Sequence, residues 1–182
     1  MSTHGYSGIT RWVMGSVTEK VLHHAACPVL VARPADSIRK VLISLDGSEL
    51  SESTLEPGLE VAAGLGAEVT LLRVVERLDA AQRDYLDEME RGLGNRVQQE
   101  FYEDAEEYLH DQIKSYRRAG LNIQTAVRDG SAADRILDFA KAQKVDLIAM
   151  ATHGRTGLRR WVYGSVTEKV LHTGCCSMLI VR

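Results

Sequence analysis

The sequence has little of what export, membranes or nucleic acids require. Aromatic residues make up only 5% of its 182 residues, and 22 basic side chains face 25 acidic ones, for a formal net charge of −3. This balance gives no attraction for DNA, RNA or an anionic lipid surface. No apolar run approaches the roughly 18 residues of a membrane span, and the first residues lack the basic flank and apolar stretch of a signal peptide. We therefore predict a cytoplasmic protein without nucleic-acid or membrane partners.

Cysteine is also scarce. Cys27, Cys175 and Cys176 are too few, and two of them too close together, for a disulfide framework. Their apolar neighbours favour small buried side chains in a reducing compartment. The alternative is a metal or redox site formed by the adjacent pair with His172, but the Cys-x-x-Cys spacing typical of zinc is missing. We predict no metal ligands and no catalytic residues.

An internal repeat is the most informative feature that is present. Residues 1–33 align with residues 150–182 at a constant offset of 149 without a gap, and 20 of the 33 positions are identical. The longest identical run, Gly15–His23, recurs as Gly164–His172. Such self-similarity has to be interpreted before any other pattern.

The repeat divides the chain into three parts. We predict a remnant of a truncated first domain over 1–33, comprising its last loop, helix and strand, a linker over 34–38, and a complete domain over 39–182. A segment of 33 residues is too short to fold alone, so it must dock on something. The pattern predicts a helix near Ser16–His24 and a strand near Val29–Ala32 within it.

The complete domain alternates apolar strands with helical patterns. This alternation predicts an α/β fold, in which a doubly wound five-stranded parallel sheet has helices on both faces. The predicted strands are 40–46, 68–75, 122–127, 145–150 and 178–181. The predicted helices are 50–64 (bent at Pro57 and closed by Gly64 and Gly66), 80–120 (broken at Gly92 and Gly94), 131–143 (capped by Ser131), and one that begins at Ser165.

The segment after the fourth strand is typical of a phosphate site. Ser165 and Glu168 have the spacing of a capping box, which leaves the first amides of the helix without a helical acceptor. Gly154 and Gly164 have no side chain that would block an anion. Backbone amides and hydroxyls would then form a cradle for phosphates. The alternative is that Ser165 and Glu168 only cap their helix.

Asp46 is the second component of the predicted site. It follows the first strand, and in a doubly wound sheet the first and fourth strands flank the point where ligands bind. Asp46 and the 154–167 segment are therefore expected to meet at one crevice. The alternative is that Asp46, Gly47 and Ser48 form only a turn. His153 is expected to be a loop residue without an acid–base role, because no nucleophile or carboxylate accompanies it.

Together these segments resemble the universal stress proteins. The resemblance rests on Ile43-Ser-Leu-Asp-Gly-Ser48, on Leu71-Leu-Arg-Val-Val75, and on Met150-Ala-Thr-His-Gly-Arg-Thr-Gly157 with Gly164-Ser-Val-Thr-Glu-Lys-Val-Leu171. In the nucleotide-binding branch the motif is Gly, two residues, Gly, nine residues, Gly, then Ser or Thr. This chain keeps Gly154, Gly164 and Ser165 at this spacing, but it has Ala151 in place of the first glycine.

The resemblance implies the strand order 3-2-1-4-5, dimerisation through the fifth strand, and a role in stress survival rather than metabolism. It implies bound ATP, alone or with Mg²⁺, in the crevice. The implied nucleotide-binding residues are Leu45, Asp46, Val74, Met150, Ala151, His153, Gly154, Gly164, Ser165, Val166 and Thr167. We therefore predict an ATP-binding stress-response protein that is not an enzyme.

Two other functions stay open, a slow ATP-hydrolysing enzyme and a dimerisation module without nucleotide. Ala151 supports the second of these. The chain has no Gly-x-x-x-x-Gly-Lys-Ser/Thr loop, which disfavours the first. The final strand is an apolar sheet edge that needs cover. A homodimer would cover this edge. An intrachain pseudo-dimer, in which residues 28–32 pair with residues 178–181, would also cover it. Alternatively, the N-terminal helix and strand compete with the C-terminal pair for the same position in the sheet, or they swap between chains.

Overall fold

Strands and helices alternate along the part of the chain that the computed structural model describes, namely residues 16–35, 37–116, 120–152, 164–174 and 176–182. The strands are β1 Val29–Val31, β2 Lys40–Leu45, β3 Glu68–Val75, β4 Ile123–Asp129, β5 Leu147–Ala151 and β6 Ser177–Val181. The helices are α1 Ser16–His24, α2 Glu49–Glu52, α3 Leu55–Leu65, α4 Ala80–Met89, α5 Leu93–Ser115, α6 Ala132–Gln143 and α7 Ser165–Thr173.

The strands form one sheet in the order β1-β6-β5-β2-β3-β4. Strands β2 to β6 are mutually parallel, and they reproduce the predicted order 3-2-1-4-5. The α/β prediction is therefore confirmed. The sheet differs from the prediction in having a sixth strand, because β1 adds to the edge of β6 in the antiparallel direction. It is consequently a mixed sheet rather than a purely parallel one.

The central strands β2 and β5 are mostly apolar because both faces of the sheet are covered. Successive side chains of a strand point to opposite faces, and they enter two separate core clusters. Leu42 and Ile148 lie in one cluster, while Ile43 and Ala149 lie in the other, and all four are fully buried. This arrangement fixes the register of β2 against β5.

Helices on both faces complete the two clusters. On one face, α6 contributes Ile136, α7 contributes Val170 and α1 contributes Leu22. On the other face, α3 contributes Leu59 and α5 contributes Leu109. The predicted coverage of both faces is therefore present, and the N-terminal helix α1 shares the α6 and α7 face.

The predicted helix over 50–64 is two helices, not one bent helix. Helix α2 ends at Glu52 and α3 begins at Leu55. Pro57 has no amide to donate to the carbonyl of Ser53, and a proline ring clashes with the carbonyl four residues earlier. The chain therefore breaks before the proline instead of bending at it. Gly66, with φ of 63°, closes α3, as predicted, and Gly64 lies inside the helix.

The region from 80 to 120 contains α4 and α5, and only one of the two predicted glycine breaks is correct. Gly92 precedes α5 with φ of 82°, a left-handed conformation that favours glycine. Gly94 lies within α5 and is buried. A Cβ at Gly94 would lie 2.7 Å from Cγ of Arg83, so this glycine serves close packing of α4 against α5.

The N-terminal segment has the predicted local structure. Helix α1 and strand β1 fall where the pattern placed them, and β1 pairs with the final strand as predicted for the intrachain alternative. The cysteines only partly follow the prediction. Cys176 is buried, but Cys27 is exposed, because it lies in the turn between α1 and β1. Cys175 lies outside the described residues.

Candidate functional site

A cavity of about 260 Å³ lies beyond the carboxyl ends of β2 and β5. This is the switch point of a doubly wound sheet, where ligands bind in folds of this kind. Side chains from both flanking strands and from the start of α7 meet in it. Its lining residues are Ser44, Leu45, Asp46, Ser51, Val74, Ala132, Ile136, Met150, Ala151, Gly164, Ser165, Val166 and Thr167.

The loop after β2 both forms a turn and presents Asp46 to the cavity. One carboxylate oxygen of Asp46 accepts hydrogen bonds from the amide of Ser48 at 2.9 Å and from its hydroxyl at 2.6 Å. The Ser48 hydroxyl oxygen in turn accepts from the amide of Ser51 at 3.1 Å, which caps α2. Gly47, with φ of 84°, permits this tight turn. Asp46, Gly47 and Ser48 therefore do form a turn, and Asp46 also lines the cavity.

The start of α7 forms the opposite wall of the cavity. The helix begins at Ser165, as predicted, but the capping box is absent and Gly164 occupies the capping position without a side-chain bond. The carbonyl of Gly164 accepts the first helical bond, from the amide of Glu168 at 3.0 Å. The amides of Ser165, Val166 and Thr167 thus precede the first possible helical donor. These three amides carry partial positive charge and are suited to a phosphate.

Two hydrogen bonds hold the start of α7 on the end of β5. The amide of Gly164 donates to the carbonyl of Thr152 at 2.7 Å. The buried hydroxyl of Thr167 donates to the carbonyl of Ala151 at 2.7 Å. The Gly164 amide and the Thr167 hydroxyl therefore position the helix. A phosphate would instead bind the amides of Ser165, Val166 and Thr167.

A Thr167→Val substitution tests this anchoring. Valine keeps the shape of the side chain but leaves the carbonyl of Ala151 without its donor. We expect the free energy of unfolding to fall by about 1–2 kcal/mol, the usual cost of a lost hydrogen bond with one partner left buried. Urea denaturation measures the change. Thr173→Val, at the exposed end of the same helix, is the control and should change stability much less.

A second cavity of about 570 Å³ adjoins the first, and the two share Asp46, Val74 and Ala132. It lies between the end of β3 and helix α5. Its remaining lining residues are Arg73, Val75, Glu76, Phe101, Asp104, Gly130 and Ser131. The combined crevice therefore runs from the start of α7 to the surface of α5.

A polar network fixes the wall formed by α5. The Tyr108 hydroxyl donates to a Glu52 carboxylate oxygen at 2.9 Å, and the Gln112 amide donates to the same oxygen at 3.3 Å. The guanidinium of Arg73 lies 4.5 Å from the centre of the Tyr108 ring. Burial, followed by the hydrogen bond to Glu52, raises the pKa of Tyr108. The phenol therefore stays protonated and keeps donating near neutral pH.

The structure brings together nine of the eleven residues predicted for the site, and His153 and Gly154 lie outside the described residues. Sequence reasoning missed Ser44 and Ser51, and it missed Ala132 and Ile136, which α6 brings over the cavity. Of the residues that line the second cavity, it predicted only Asp46 and Val74. The predicted start of a helix at Ser131 could have indicated that α6 contributes to the site. Helices that follow parallel strands begin at the edge of the sheet where ligands bind.

The residues that the structure describes show no helix long and apolar enough to cross a membrane. Among the same residues, no group of three or more His, Cys, Asp or Glu side chains is arranged to hold a metal ion.

The chain matches the model of the universal stress protein family over residues 1–33 and 37–182. It is 31% identical over 144 residues to universal stress protein MJ0531 of Methanocaldococcus jannaschii, covering 79% of this chain and 82% of that protein. It is 26% identical over 191 residues to universal stress protein Rv2005c of Mycobacterium tuberculosis. That match covers 100% of this chain but only 60% of the relative.

Solved structures agree with these relatives. Hypothetical protein MJ0577 superimposes with a TM-score of 0.65 at 27% identity, covering 79% of this chain and 94% of that one. A universal stress protein in complex with cAMP superimposes with a TM-score of 0.51 at 20% identity, covering 81% and 98%. The second likeness concerns the fold alone. Sequence motifs, strand order and family match converge, and the chain belongs to the universal stress protein family.

Proposed function

We propose that the protein binds ATP, alone or with Mg²⁺ carried on the phosphates, in the crevice formed by the two cavities. The observation that carries this proposal is the meeting of Asp46, Val74 and the first amides of α7 in one cavity. The amides of Ser165, Val166 and Thr167 would bind phosphate oxygens. Asp46 would accept from a ribose hydroxyl, and Val74 and Met150 would contact the base.

The shape of the crevice supports an elongated ligand with one anionic end. The proposed phosphate-binding wall lies at the smaller cavity. The larger cavity is lined by the carboxylates of Asp46, Glu76 and Asp104 and by one guanidinium, that of Arg73, so its net charge is negative and disfavours phosphates. This polarity favours placing the base and ribose toward α5. A structural neighbour with the same fold is described in complex with cAMP, also an adenine nucleotide.

We propose a signalling or protective role in stress rather than metabolic turnover. The described part of the smaller cavity offers Asp46 as its only carboxylate, and the proposed hydrogen bond with the ribose places that carboxylate away from the phosphates. A general base for attack on a phosphate would need that group to be available. The bound nucleotide would thus act as a signal or as a stabilising ligand.

Thermal melting with and without nucleotide tests the proposal. ATP at about 100 times its Kd should add about 2.7 kcal/mol to the free energy of unfolding. A chain of this length then melts several degrees higher, at roughly 2–4 °C per kcal/mol. GTP is the control for the base. A shift without phosphate release supports the proposal, steady phosphate release would indicate an enzyme, and no shift would favour a module without nucleotide.

Ala151→Gly restores the first glycine of the family motif and should tighten ATP binding several-fold. Ala151 is buried at the end of β5 and lines the cavity, so its methyl group narrows the space beside the phosphates. Glycine should also cost about 0.5–1 kcal/mol of stability in a strand. Isothermal titration calorimetry gives the Kd. Ala149→Gly is the control, because Ala149 is buried in a core cluster on the same strand and does not line the cavity; it should cause a comparable loss of stability without tighter binding.

We also propose that residues 1–33 are the tail of a second universal stress unit, joined by the linker 34–38 to a complete unit over 39–182. The family model matches both parts, and α1 and α7 each span nine residues. The pairing of β1 with β6 supports a pseudo-dimer within one chain through the last strand.

A further inference from the structure

Helix α2 joins the Asp46 turn to helix α5, and its position depends on polar bonds at its two ends. The helix has only four residues, and Ser51 is its only buried residue. A helix this short, without a buried apolar side chain, has little stability of its own. Its bonds to neighbouring elements, together with the start of α3 that follows it, therefore hold it in place.

The first end of α2 is bonded to Asp46. The Ser48 hydroxyl, whose oxygen caps the helix, donates to the Asp46 carboxylate at 2.6 Å. The Ser51 hydroxyl oxygen accepts from the amide of Asp46 at 3.2 Å, and this hydroxyl donates to the Ser48 carbonyl at 2.8 Å. The side chain and the backbone of Asp46 are thus both bonded to α2. A shift of α2 would therefore move the Asp46 carboxylate, which lines the smaller cavity.

The second end of α2 is bonded to α5 through Glu52. The Tyr108 hydroxyl and the Gln112 amide both donate to one carboxylate oxygen of Glu52, at 2.9 and 3.3 Å. Helix α5 is a firm support, because Leu109 is fully buried in a core cluster and the Tyr108 ring packs against the same cluster. The bond from Tyr108 is the shorter of the two and thus contributes more to fixing this end of α2.

Tyr108 also lies behind the wall of the larger cavity. The guanidinium of Arg73, which lines that cavity, is 4.5 Å from the centre of the Tyr108 ring. Burial raises the pKa of the Tyr108 phenol most, Glu52 raises it further, and the negative charge of Asp46 adds to the effect. The phenol is therefore close enough to Asp46 to be influenced by its charge.

We propose that Tyr108 is a positioning residue for nucleotide binding, which holds α2 and so keeps the Asp46 carboxylate in the orientation that accepts from the ribose. Tyr108 is not among the residues that line either cavity, so it acts through Glu52 and α2 rather than by touching the ligand. The inference rests on the proposed binding of ATP in the crevice.

The first test needs no nucleotide. Tyr108→Phe keeps the ring but removes the bond to Glu52. The amides of Ser48 and Ser51 donate to the Asp46 carboxylate and to the Ser48 hydroxyl oxygen, so their hydrogen exchange, followed by NMR, reports on the turn. We expect both amides to exchange roughly three- to tenfold faster, which is the equilibrium factor for one lost hydrogen bond.

Tyr102→Phe is the matched control for this exchange experiment. It removes a hydroxyl from the same helix, but that hydroxyl is hydrogen-bonded to Asp129 of β4 instead of to α2. The two amides should therefore exchange as in the parent. Glu52→Ala removes the bond of Tyr108 from its other end, and it should accelerate exchange as Tyr108→Phe does. Combining the two substitutions should add no further increase, because both remove one interaction.

The second test measures nucleotide binding by isothermal titration calorimetry. Tyr108→Phe should raise the Kd for ATP about three- to tenfold. The comparison ligand is 2′-deoxy-ATP or 3′-deoxy-ATP, whichever the parent binds less tightly, because that analogue lacks the hydroxyl bonded to Asp46. Its Kd should change by less than about twofold, since the interaction that Tyr108 supports is already missing. Inorganic triphosphate should bind both proteins equally.

Two results would overturn the inference. One is exchange of both amides at the parent's rates in Tyr108→Phe and in Glu52→Ala. The other is an equal loss of affinity for ATP, for the deoxy analogue and for inorganic triphosphate, which would show that Tyr108 supports the site only in a general way. A parent that binds no ATP would contradict the proposed function instead, and the exchange rates would still decide whether Tyr108 holds the Asp46 turn.

Discussion

Gly164→Val is expected to abolish ATP binding while leaving the fold intact. Gly164 lines the smaller cavity at the start of α7, so a valine side chain would occupy the space beside the amides that we propose to bind phosphate. Its backbone angles, φ of −53° and ψ of 139°, are open to any residue. The substitution also keeps the amide that bonds Thr152. We expect the Kd for ATP to rise at least about 100-fold, or ~2.7 kcal/mol.

Calorimetric titration measures this loss, and circular dichroism checks the fold. Gly64→Val is the matched control, because a Cβ at Gly64 would meet nothing within 4 Å. This control should bind ATP as the parent does. Parent-like affinity in the Gly164 variant would mean that the phosphates bind elsewhere.

Leu109→Ala should cause the largest loss of stability among simple truncations of α5. Leu109 is fully buried in the cluster that joins α3 and α5 to the sheet. Removing a buried leucine side chain costs about 2–5 kcal/mol, depending on how far the cavity collapses. The melting temperature should fall by roughly 2–4 °C for each of these kcal/mol. Met89→Ala, 67% exposed on α4, should change stability by less than about 0.5 kcal/mol.

Leu109→Ala should also weaken ATP binding moderately, because α5 carries Phe101 and Asp104 at the larger cavity. Unchanged affinity with reduced stability would show that the α5 wall contributes little to the nucleotide site. Unchanged stability would contradict the assignment of Leu109 to the core.

Much of the fold follows from patterns that are local in the sequence. Alternating apolar strands and helical segments predict a parallel sheet, and the repeat predicts that residues near Val29 form a strand. Asp46 and the start of α7 could be assigned to one crevice because the carboxyl ends of parallel strands share an edge, whereas Val74 was assigned to it only by the family resemblance. These inferences need only the spacing of residues and a rule for connecting strands.

The features that sequence reasoning missed depend on contacts between distant segments. Gly94 has the pattern of a helix breaker, but it lies inside α5, where the side chain of Arg83 leaves no room for a Cβ. Ser165 has the pattern of a cap, yet the anchoring of Gly164 on Thr152 makes the glycine the capping residue. The larger cavity is lined by residues of β3 and α5, whose packing against each other no local pattern specifies.

The antiparallel direction of β1 has a mechanical consequence. Val29, where the chain enters β1, lies opposite Ile180, two residues before the last residue Arg182. Tension applied between the segment before β1 and Arg182 would therefore load the ladder from one end only. Its bonds would break one after another, as in a zipper, at low force. The parallel β5–β6 pair would instead be loaded in shear, with all its bonds strained together. A pulled chain would therefore lose β1 first and keep the crevice beyond β2 and β5 intact.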